Sequence, residues 1–268
     1  MTDRSLQPAD ATARMFRALT VLLILSLPVF VLWLGSNSIW DANEAFYVDT
    51  PRQMVRTGDY VTPMFNGAER VNKPVLSYWV VAGLYRLLGV SVATERLGIA
   101  LGVLGIVAAA FLLGRALRST ATGVLAALIV ATAPRVVMWG RRIFIDVHIT
   151  MWMSLTLAFL VLAERCPERR RLFLLLMYVA MGLGVLTKGP IAIVFPVLTC
   201  GVWFTVERRW SEVRRLMLVP GALIVLAIVA PWYVALVQTH GWAPVTSFFV
   251  GENLDRFTTS MQPDHRPI

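Results

Sequence analysis

The chain has 268 residues, of which 57% are hydrophobic and only 15% are charged, and its mean hydropathy is +0.67. A soluble domain carries about 45–50% apolar and about 25% charged residues, so the composition excludes a soluble globular protein, a disordered chain and a disulfide scaffold. The formal net charge is +9, and 23 of the 25 cations are Arg, the exceptions being Lys73 and Lys188. These proportions indicate an integral membrane protein.

Seven apolar stretches come near the roughly 20 residues that a helix needs to cross the hydrocarbon core. They are Ala18–Leu34, Leu97–Gly114, Thr120–Ala133, Val147–Ala163, Leu172–Leu186, Ile191–Val206 and Leu216–Val237. None of them contains Asp, Glu, Lys or Arg, and no soluble domain boundary or internal repeat is visible. We therefore predict an all-α, polytopic transmembrane bundle of about seven spanning helices that forms one domain over residues 1–268.

Clusters of Arg between these stretches predict how the chain is oriented. They lie at Arg115 and Arg118, at Arg165–Arg171 and at Arg208–Arg215, as is typical of cytoplasmic loops. The first stretch lacks a small-residue cleavage site and is interpreted as an uncleaved anchor with a cytoplasmic N-terminus. No basic stripe interleaved with aromatic residues occurs, so nucleic acid is not an expected partner.

The same orientation places a first outer loop of about 60 residues, Ser36–Arg96, on the opposite side of the membrane. Structureless loops of that length are uncommon and usually functional. Its stretches Ala42–Thr57 and Val75–Leu88 are predicted to be amphipathic helices lying at the membrane interface. The segments Pro134–Ile145 and Lys188–Pro190 are predicted to lie on this outer side as well.

Three groups of polar residues fall on that outer side. In the first, Asp41, Glu44 and Tyr47 share one face of a helix at i, i+3 and i+6, and the alternative is a capping box made by Asp41 and Glu44. The second is Asn72-Lys73-Pro74 with Ser77, Tyr78 and Trp79, for which the alternative is an interfacial Lys before a Pro that opens a helix.

The third group joins a cluster before the fourth stretch to Thr187-Lys188-Gly189-Pro190. Its members are Arg135, Arg141, Arg142, Asp146 and His148. The alternatives are that Asp146 favours the positive end of a helix, that Lys188-Gly189-Pro190 is only a helix stop, and that His148 is a hydrogen-bonded helix residue.

Together these groups place carboxylates and cations above a lipid phase, which suits a sugar phosphate on a lipid carrier. Phosphate is a stable leaving group that Lys and Arg hold by charge-assisted hydrogen bonds, and one carboxylate can take the proton of the acceptor hydroxyl. This design predicts direct displacement with inversion. No cofactor is evident, and Cys166 and Cys200 have no metal-ligand spacing, so metal dependence stays open.

The order of motifs along most of the chain resembles one enzyme family. The motifs are Trp40, Glu44-x-x-Tyr47, Pro51-Arg52-x-Met54, Gly58-Asp59-Tyr60-x-x-Pro63, Asn66-Gly67, Lys73-Pro74 with Tyr78-Trp79, Asp146, Thr187-Lys188-Gly189, Pro231-Trp232, Phe248-Phe249-x-x-Glu252-x-x-x-Arg256-Phe257 and His265-Arg266. They resemble the GT-C glycosyltransferases of the aminoarabinose transferase and protein O-mannosyltransferase type, which are polytopic membrane enzymes that use polyprenyl-phosphate sugars.

The resemblance implies an inverting sugar transfer at the periplasmic face of a bacterial inner membrane, to an acceptor hydroxyl on a lipid, lipopolysaccharide, protein or glycan. By position, the resemblance places its roles on Glu44 in the first loop, on Lys73 and Lys188 as the lysines that approach the donor phosphate, and on Asp146 as a further acid beside the cavity. From the residues themselves, the expected base is Glu44 first and Asp41 second, Arg141 and Arg142 are further candidate ligands of the donor phosphate, and Asn43, Tyr47, Asn72 and Tyr78 are supporting residues.

Three positions depart from the family pattern. Asn43 replaces the Asp of an Asp-Glu pair, Asn72 replaces the acid before Lys-Pro, and Phe46 replaces the Arg before the tyrosine. Asn cannot act as a base. Therefore either Asp41 or Glu44 is the base, or the acceptor differs, or the protein is an inactive relative.

Family members are about twice as long, so the chain is expected to be the N-terminal half of a longer product. A transporter or flippase of a lipid-linked sugar is the alternative from another class. Transporters keep ionisable residues or inverted repeats near the midplane, and neither is found here. The small residues Gly102-x-x-Gly105 and Gly182-x-Gly184 are interpreted as helix-packing positions.

Overall fold

The structure is a computed structural model that describes residues 8–36 and 42–250. Its helices are α1 (Pro8–Val31), α2 (Ala42–Thr57), α3 (Leu76–Leu88), α4 (Val92–Leu117), α5 (Thr120–Thr132), α6 (Pro134–Gly140), α7 (Ile145–Arg165), α8 (Arg170–Lys188), α9 (Ile191–Val206), α10 (Leu218–His240) and α11 (Ala243–Thr246). Two 3₁₀ turns, Pro167–Arg169 and Trp210–Leu216, connect α7 to α8 and α9 to α10.

Within the described residues, five helices are long and apolar enough to cross a membrane, namely α1, α4, α7, α8 and α10. The pair α5 and α6 makes a sixth if its bend of 62° is taken as a break within one span, and α9 is a shorter apolar helix of 16 residues. The prediction of an all-α polytopic bundle is confirmed, with five or six candidate spans among the described residues in place of the seven predicted. Each predicted stretch lies within a helix or overlaps most of one.

The first outer loop contains both predicted helices, since α2 has the predicted bounds and α3 begins one residue later. It also contains a two-stranded hairpin that the all-α prediction omitted. Strands β1 (Met64–Phe65) and β2 (Ala68–Glu69) pair antiparallel, with Met64 opposite Glu69. Asn66 and Gly67 form the turn at φ of 49° and 78°, and Asn-Gly is a strong hairpin signal.

The predicted outer segment Pro134–Ile145 begins with α6 (Pro134–Gly140), a helix that the sequence analysis did not predict. Pro134 disfavours helical geometry at Ala133, and Ala133 is accordingly extended at φ −61° and ψ 124°. The chain therefore leaves α5 and restarts as α6 at an angle of 62°. Proline at the first helical position is favourable because its missing N–H would have no partner there.

The core of the bundle is built on α4, which packs against α1, α5 and α7, while α8 packs against α7 and α10. Small residues set the closest approaches. An added Cβ at Gly123 would lie 2.6 Å from the Phe111 carbonyl oxygen, and one at Gly114 would lie 2.9 Å from the Gly123 Cα. The backbones of α4 and α5 are thus in direct contact.

The predicted packing role of the other glycine motifs is also confirmed. Gly102 faces His148 of α7, and Gly182 faces Ile228 of α10, with an added Cβ at 2.8 Å and 3.0 Å from those side chains. A side chain at either position would separate the helices, which is the usual reason for small residues between membrane helices.

The bundle has two ends, which we name by their charged residues. The lysine end is where α7 begins, α8 finishes at Lys188, and the first outer loop lies. The arginine end is where α4, α7 and α9 finish, and it carries residues 164–171 and 207–215. Because α7 has 21 residues, the two ends are separated by about 30 Å along this helix.

Candidate active site

An ion pair joins two helix ends at the lysine end. Asp146 lies in the first turn of α7, after Phe144 as N-cap, and Lys188 is the last residue of α8, before Gly189 at φ 91°. The Lys188 ammonium donates to the Asp146 carboxylate. The Asp146 side chain is 51% exposed and that of Lys188 is 33% exposed. Asp146 thus lies at the positive end of α7 and Lys188 at the end of α8, as the two alternatives expected. The two side chains also form an accessible ion pair.

Glu44 lies in the first turn of α2, and its carboxylate is buried at 1% exposure. Its Oε1 accepts a hydrogen bond of 3.0 Å from the backbone N–H of Ile143, three residues before Asp146. Glu44 therefore joins the start of α2 to the segment that carries Asp146. Asp41 and the Asn43 side chain lie outside the described residues, so the proposed capping box is not described either.

The supporting tyrosines are brought together as one stacked pair. The rings of Tyr47 in α2 and Tyr78 in α3 have centroids 5.8 Å apart at an interplanar angle of 25°, and Tyr78 is almost fully buried. Burial raises the pKa of the Tyr78 phenol, so it stays protonated at neutral pH. The pair fixes the starts of α2 and α3 against one another.

His148 bridges α3, α7 and α4. Its Nδ1 lies 3.0 Å from the Ser77 hydroxyl and its Nε2 lies 2.9 Å from the carbonyl oxygen of Gly98. The imidazole is buried with both ring nitrogens in hydrogen bonds, which confirms the alternative that it is a hydrogen-bonded helix residue. It holds the start of α3 beside the start of α7.

Lys73 and Asn72 are half-buried in the short stretch that leads into α3. Lys73 precedes Ser77 by four residues, and Ser77 contacts His148 two residues after Asp146. The chain thus places Lys73 at the same end of the bundle as Asp146 and Lys188. α3 begins at Leu76 with Val75 as N-cap, so Pro74 lies just outside the helix that it was expected to open.

The two arginines predicted to bind phosphate differ in their surroundings. The Arg141 guanidinium donates to the carbonyl oxygens of Val29 and Leu32 at 3.0 Å and 2.9 Å, which satisfies carbonyls at the C-terminal end of α1. Arg142 is exposed. Arg135 lines a cavity of about 250 Å³ together with Asp146 and Thr150. The phosphate-binding roles of Arg141 and Arg142 stay predictions.

The sequence analysis missed a buried acid that joins α2, α3 and α4. Glu95 is fully buried, and its Oε1 accepts from Arg52 Nη2 at 2.6 Å, from Arg52 Nε at 3.1 Å and from the Tyr85 hydroxyl. Burial, followed by the hydrogen bond to Glu95, raises the pKa of Tyr85. A Glu in the first turn of a helix is too common to have indicated this cluster.

Two indoles hold the Gly58–Pro63 motif in place. Trp79 Nε1 donates to the carbonyl oxygen of Tyr60 at 2.8 Å, and Trp232 Nε1 donates to that of Val61 at 2.9 Å. Burial alone would raise the pKa of Asp59, but hydrogen bonds from the backbone amides of Thr62 and Val61 outweigh it and lower that pKa below its usual range. The motif is therefore anchored to α3 and α10 through its backbone.

Arg70, at the end of the hairpin, was also missed. Its guanidinium lies 3.4 Å from the ring centroid of Phe46 and 5.9 Å from that of Phe65. Phe46 occupies the position at which the resemblance leads one to expect Arg. A guanidinium therefore lies next to residue 46, but it comes from Arg70, 24 residues later in the chain. A linear motif does not reveal such a contact.

Across the described ranges, no group of three or more His, Cys, Asp or Glu side chains is arranged to hold a metal ion. Trp40 and the motif residues from Glu252 to Arg266 lie outside these ranges. Phe248 does lie within them, and its ring contacts Gly189, where an added Cβ would lie 2.6 Å from the Phe248 Cζ. The first part of the C-terminal motif therefore packs next to Lys188.

Residues 11–243 match the family model described as dolichyl-phosphate-mannose-protein mannosyltransferase. The chain belongs to this family. It is 31% identical over 255 residues to the undecaprenyl phosphate-alpha-4-amino-4-deoxy-L-arabinose arabinosyl transferase of Pseudomonas aeruginosa strain UCBPP-PA14, covering 92% of this chain and 45% of the relative. It is also 30% identical over 244 residues to an uncharacterized protein of Aquifex aeolicus, covering 87% of this chain and 47% of that protein.

The fold of this family member is similar to that of two solved structures. The crystal structure of ArnT from Cupriavidus metallidurans bound to undecaprenyl phosphate superposes with a TM-score of 0.85 at 27% identity, over 90% of this chain and 45% of that one. Its apo state gives a TM-score of 0.83, over 88% of this chain and 44% of that one. The chain spans somewhat less than half the length of these relatives.

Proposed function

We propose that this chain carries the donor-binding part of a membrane glycosyltransferase, which moves a sugar from a polyprenyl-phosphate carrier to a hydroxyl group with inversion. The observation that carries the proposal is the accessible Asp146–Lys188 pair at the lysine end. The names of the arabinosyl transferase relatives and the undecaprenyl phosphate bound to the similar ArnT structure support the choice of donor.

The pair is suited to exchange its carboxylate for a donor phosphate. An exposed ion pair contributes only about 0–1 kcal/mol, so the singly charged phosphodiester of the donor displaces Asp146 from Lys188 at little cost. An ammonium on the last turn of α8 can then hold the departing phosphate by charge-assisted hydrogen bonds. Lys73, which the chain brings to the same end, is proposed as the second cation.

Two described carboxylates are candidates for the base, and their environments differ. Glu44 is buried and accepts the Ile143 amide, whereas Asp146 is half-exposed and released when phosphate takes its place on Lys188. A base has to come within hydrogen-bond reach of the acceptor hydroxyl. We therefore favour Asp146 as the base and assign Glu44 to holding the segment that carries it.

The orientation follows from the distribution of Arg. The arginine end carries the clusters at residues 165–171 and 208–215, and an excess of Arg marks cytoplasmic loops. We propose that this end faces the cytoplasm of a bacterium and that the lysine end faces the periplasm across the inner membrane. The acceptor class remains that of a lipid, lipopolysaccharide, protein or glycan hydroxyl.

An inactive relative is the second candidate, and the observation that favours it is the pair of amides Asn43 and Asn72 at positions where the family pattern has acids. Such a protein would still bind a lipid phosphate through its lysines. Donor binding and sugar transfer therefore have to be measured separately.

The test is sugar transfer by the longest natural form of the protein in proteoliposomes, with donor binding measured in parallel. Asp146→Asn should lower transfer by about 100-fold or more with donor binding retained. Lys188→Ala should weaken donor binding by about 10- to 150-fold, corresponding to one lost charged hydrogen bond of roughly 1.5–3 kcal/mol.

Glu44→Gln is the matched control, because it keeps an oxygen to accept the Ile143 amide but removes the charge. Near-normal transfer in Glu44→Gln with loss in Asp146→Asn would support the assignment, and the opposite result would make Glu44 the base. Donor binding without transfer in the wild type, with activity gained in Asn43→Asp, would establish the inactive relative.

A further inference from the structure

A groove at the arginine end lies between the last turns of α4, α7 and α9. Its volume is about 650 Å³. The wall is apolar and is formed by Leu113 and Leu117 of α4, Leu157 and Val161 of α7, and Trp203 of α9. Both α4 and α7 are candidate membrane spans, so a bilayer around these helices would place the wall beside its hydrocarbon.

The rim of the groove is charged, and one of its two arginines is already neutralised. Arg209 donates to Glu212 at 2.7 Å and 3.0 Å and to Glu164 at 2.8 Å, and its guanidinium lies 5.0 Å from the Trp203 ring centroid. This network closes the outer edge of the groove.

Arg165, the last residue of α7, is the other arginine of the rim. It is exposed, and within residues 8–36 and 42–250 it forms no ion pair. Around it, residues 164–171 and 207–215 contain eight Arg and four Glu, and Glu164 and Glu212 are already paired with arginines. The rim therefore has an uncompensated positive charge next to an apolar wall.

We propose that this groove binds an anionic phospholipid of the bilayer. Its phosphate lies against Arg165, and an acyl chain lies along Leu117, Leu157 and Val161. Basic pockets between membrane helices recognise anionic headgroups, and the apolar wall selects a ligand that is aliphatic as well as anionic. Along α7, the residues that line the groove lie about 16 Å (Leu157) to about 28 Å (Arg165) from Asp146, so the inference does not rest on the proposed transfer.

The experiment is native mass spectrometry of the full chain, titrated with phosphatidylglycerol or with phosphatidylcholine of the same acyl chains. We expect phosphatidylglycerol to bind at least about fivefold more tightly, and Arg165→Gln to remove about that factor, since one Arg near a lipid surface has roughly this effect. Val161→Trp and Thr199→Trp fill the groove from opposite walls, and both should reduce the binding of either lipid.

Arg118→Gln is the matched control, because it removes one exposed charge at the same end but does not line the groove. Phosphatidylglycerol binding should be unchanged in this variant. Equal loss in Arg118→Gln and Arg165→Gln would show a diffuse surface field, and equal affinity for both lipids would show a nonselective contact. Unaltered binding in both groove-filling variants, or displacement of phosphatidylglycerol by equimolar polyprenyl phosphate, would also overturn the proposal.

Discussion

At the lysine end of the bundle, hydrogen bonds from buried side chains connect separate elements. Examples are the bonds of Glu44 with Ile143, of His148 with Ser77 and of Trp232 with Val61. At the arginine end, the charged contacts are made by half-exposed guanidinium groups around Glu164 and beside a groove. Buried directional bonds fix positions, whereas exposed ion pairs do so only weakly. The buried bonds at the lysine end therefore hold the segments that carry the Asp146–Lys188 pair, whereas this pair, being exposed, is free to exchange its partner.

The largest effect on stability is expected from Glu95→Ala at the lysine end. The variant removes the charged hydrogen bonds of Arg52 and Tyr85 to a fully buried carboxylate, and should lower the free energy of unfolding by about 2–3 kcal/mol. Thermal or denaturant unfolding in detergent measures it. Glu168→Ala, which removes an exposed Glu at the arginine end, should stay within about 0.5 kcal/mol. Equal effects at both ends would contradict the comparison.

Gly189→Ala should destabilise by about 1–2 kcal/mol, because φ 91° and ψ −151° is a region that side chains rarely adopt and the added Cβ would meet the Phe248 ring. Since Lys188 is adjacent, donor binding should weaken as well. The control is Gly201→Ala in α9, where nothing lies within 4 Å of an added Cβ. A Gly201→Ala variant as damaged as Gly189→Ala would show that the effect is not specific to this helix end.

Arg70→Leu tests a contact that the sequence did not reveal. It should cost about 0.5–1 kcal/mol, the usual value of an exposed cation–π contact, and the hairpin should become more susceptible to limited proteolysis. Arg56→Leu, on the exposed end of α2, removes the same charge away from Phe46. Wild-type stability in Arg70→Leu would exclude a structural role for the Phe46 stack.

The smallest effect concerns pH. The pKa of Asp59 is lowered in the folded protein, so its contribution is fully present above the usual value of 3.8 and is lost as pH falls through the lower folded value. Exchange protection of the Val61 and Thr62 amides, corrected for the intrinsic rate, should therefore be constant from pH 7 to about 4 and fall below it. Asp59→Asn should remove this dependence, and constant protection of both amides in the wild type below pH 4 would contradict the prediction.

The seven apolar stretches predicted the bundle because each helix exposes a long apolar surface, which is a local property of the sequence. The proximity of Asp146 and Lys188 could be inferred from local sequence as well, because both residues lie at the ends of predicted helices on the same side of the membrane. Three other contacts could not be inferred in this way, because each depends on how segments far apart in sequence approach one another. They are Arg52–Glu95, Arg70–Phe46 and Glu44–Ile143.

The local errors have local causes. Asn66-Gly67 was used only as a family motif, although this dipeptide favours a tight hairpin turn. The hairpin was therefore not predicted. The segment from Pro134 was placed on the outer side without a predicted helix, although proline is well suited to the first position of a new helix.

The contact between Gly114 and Gly123 has a consequence for how the protein enters the membrane. α5 has 13 residues and is therefore only about 20 Å long, too short to cross a hydrocarbon core of about 30 Å by itself. Two residues connect it to α4, a span of 26 residues, and the backbones of the two helices touch along the contact. We therefore expect α5 to insert as one arm of a hairpin with α4, so that α4 sets the depth of α5 in the bilayer.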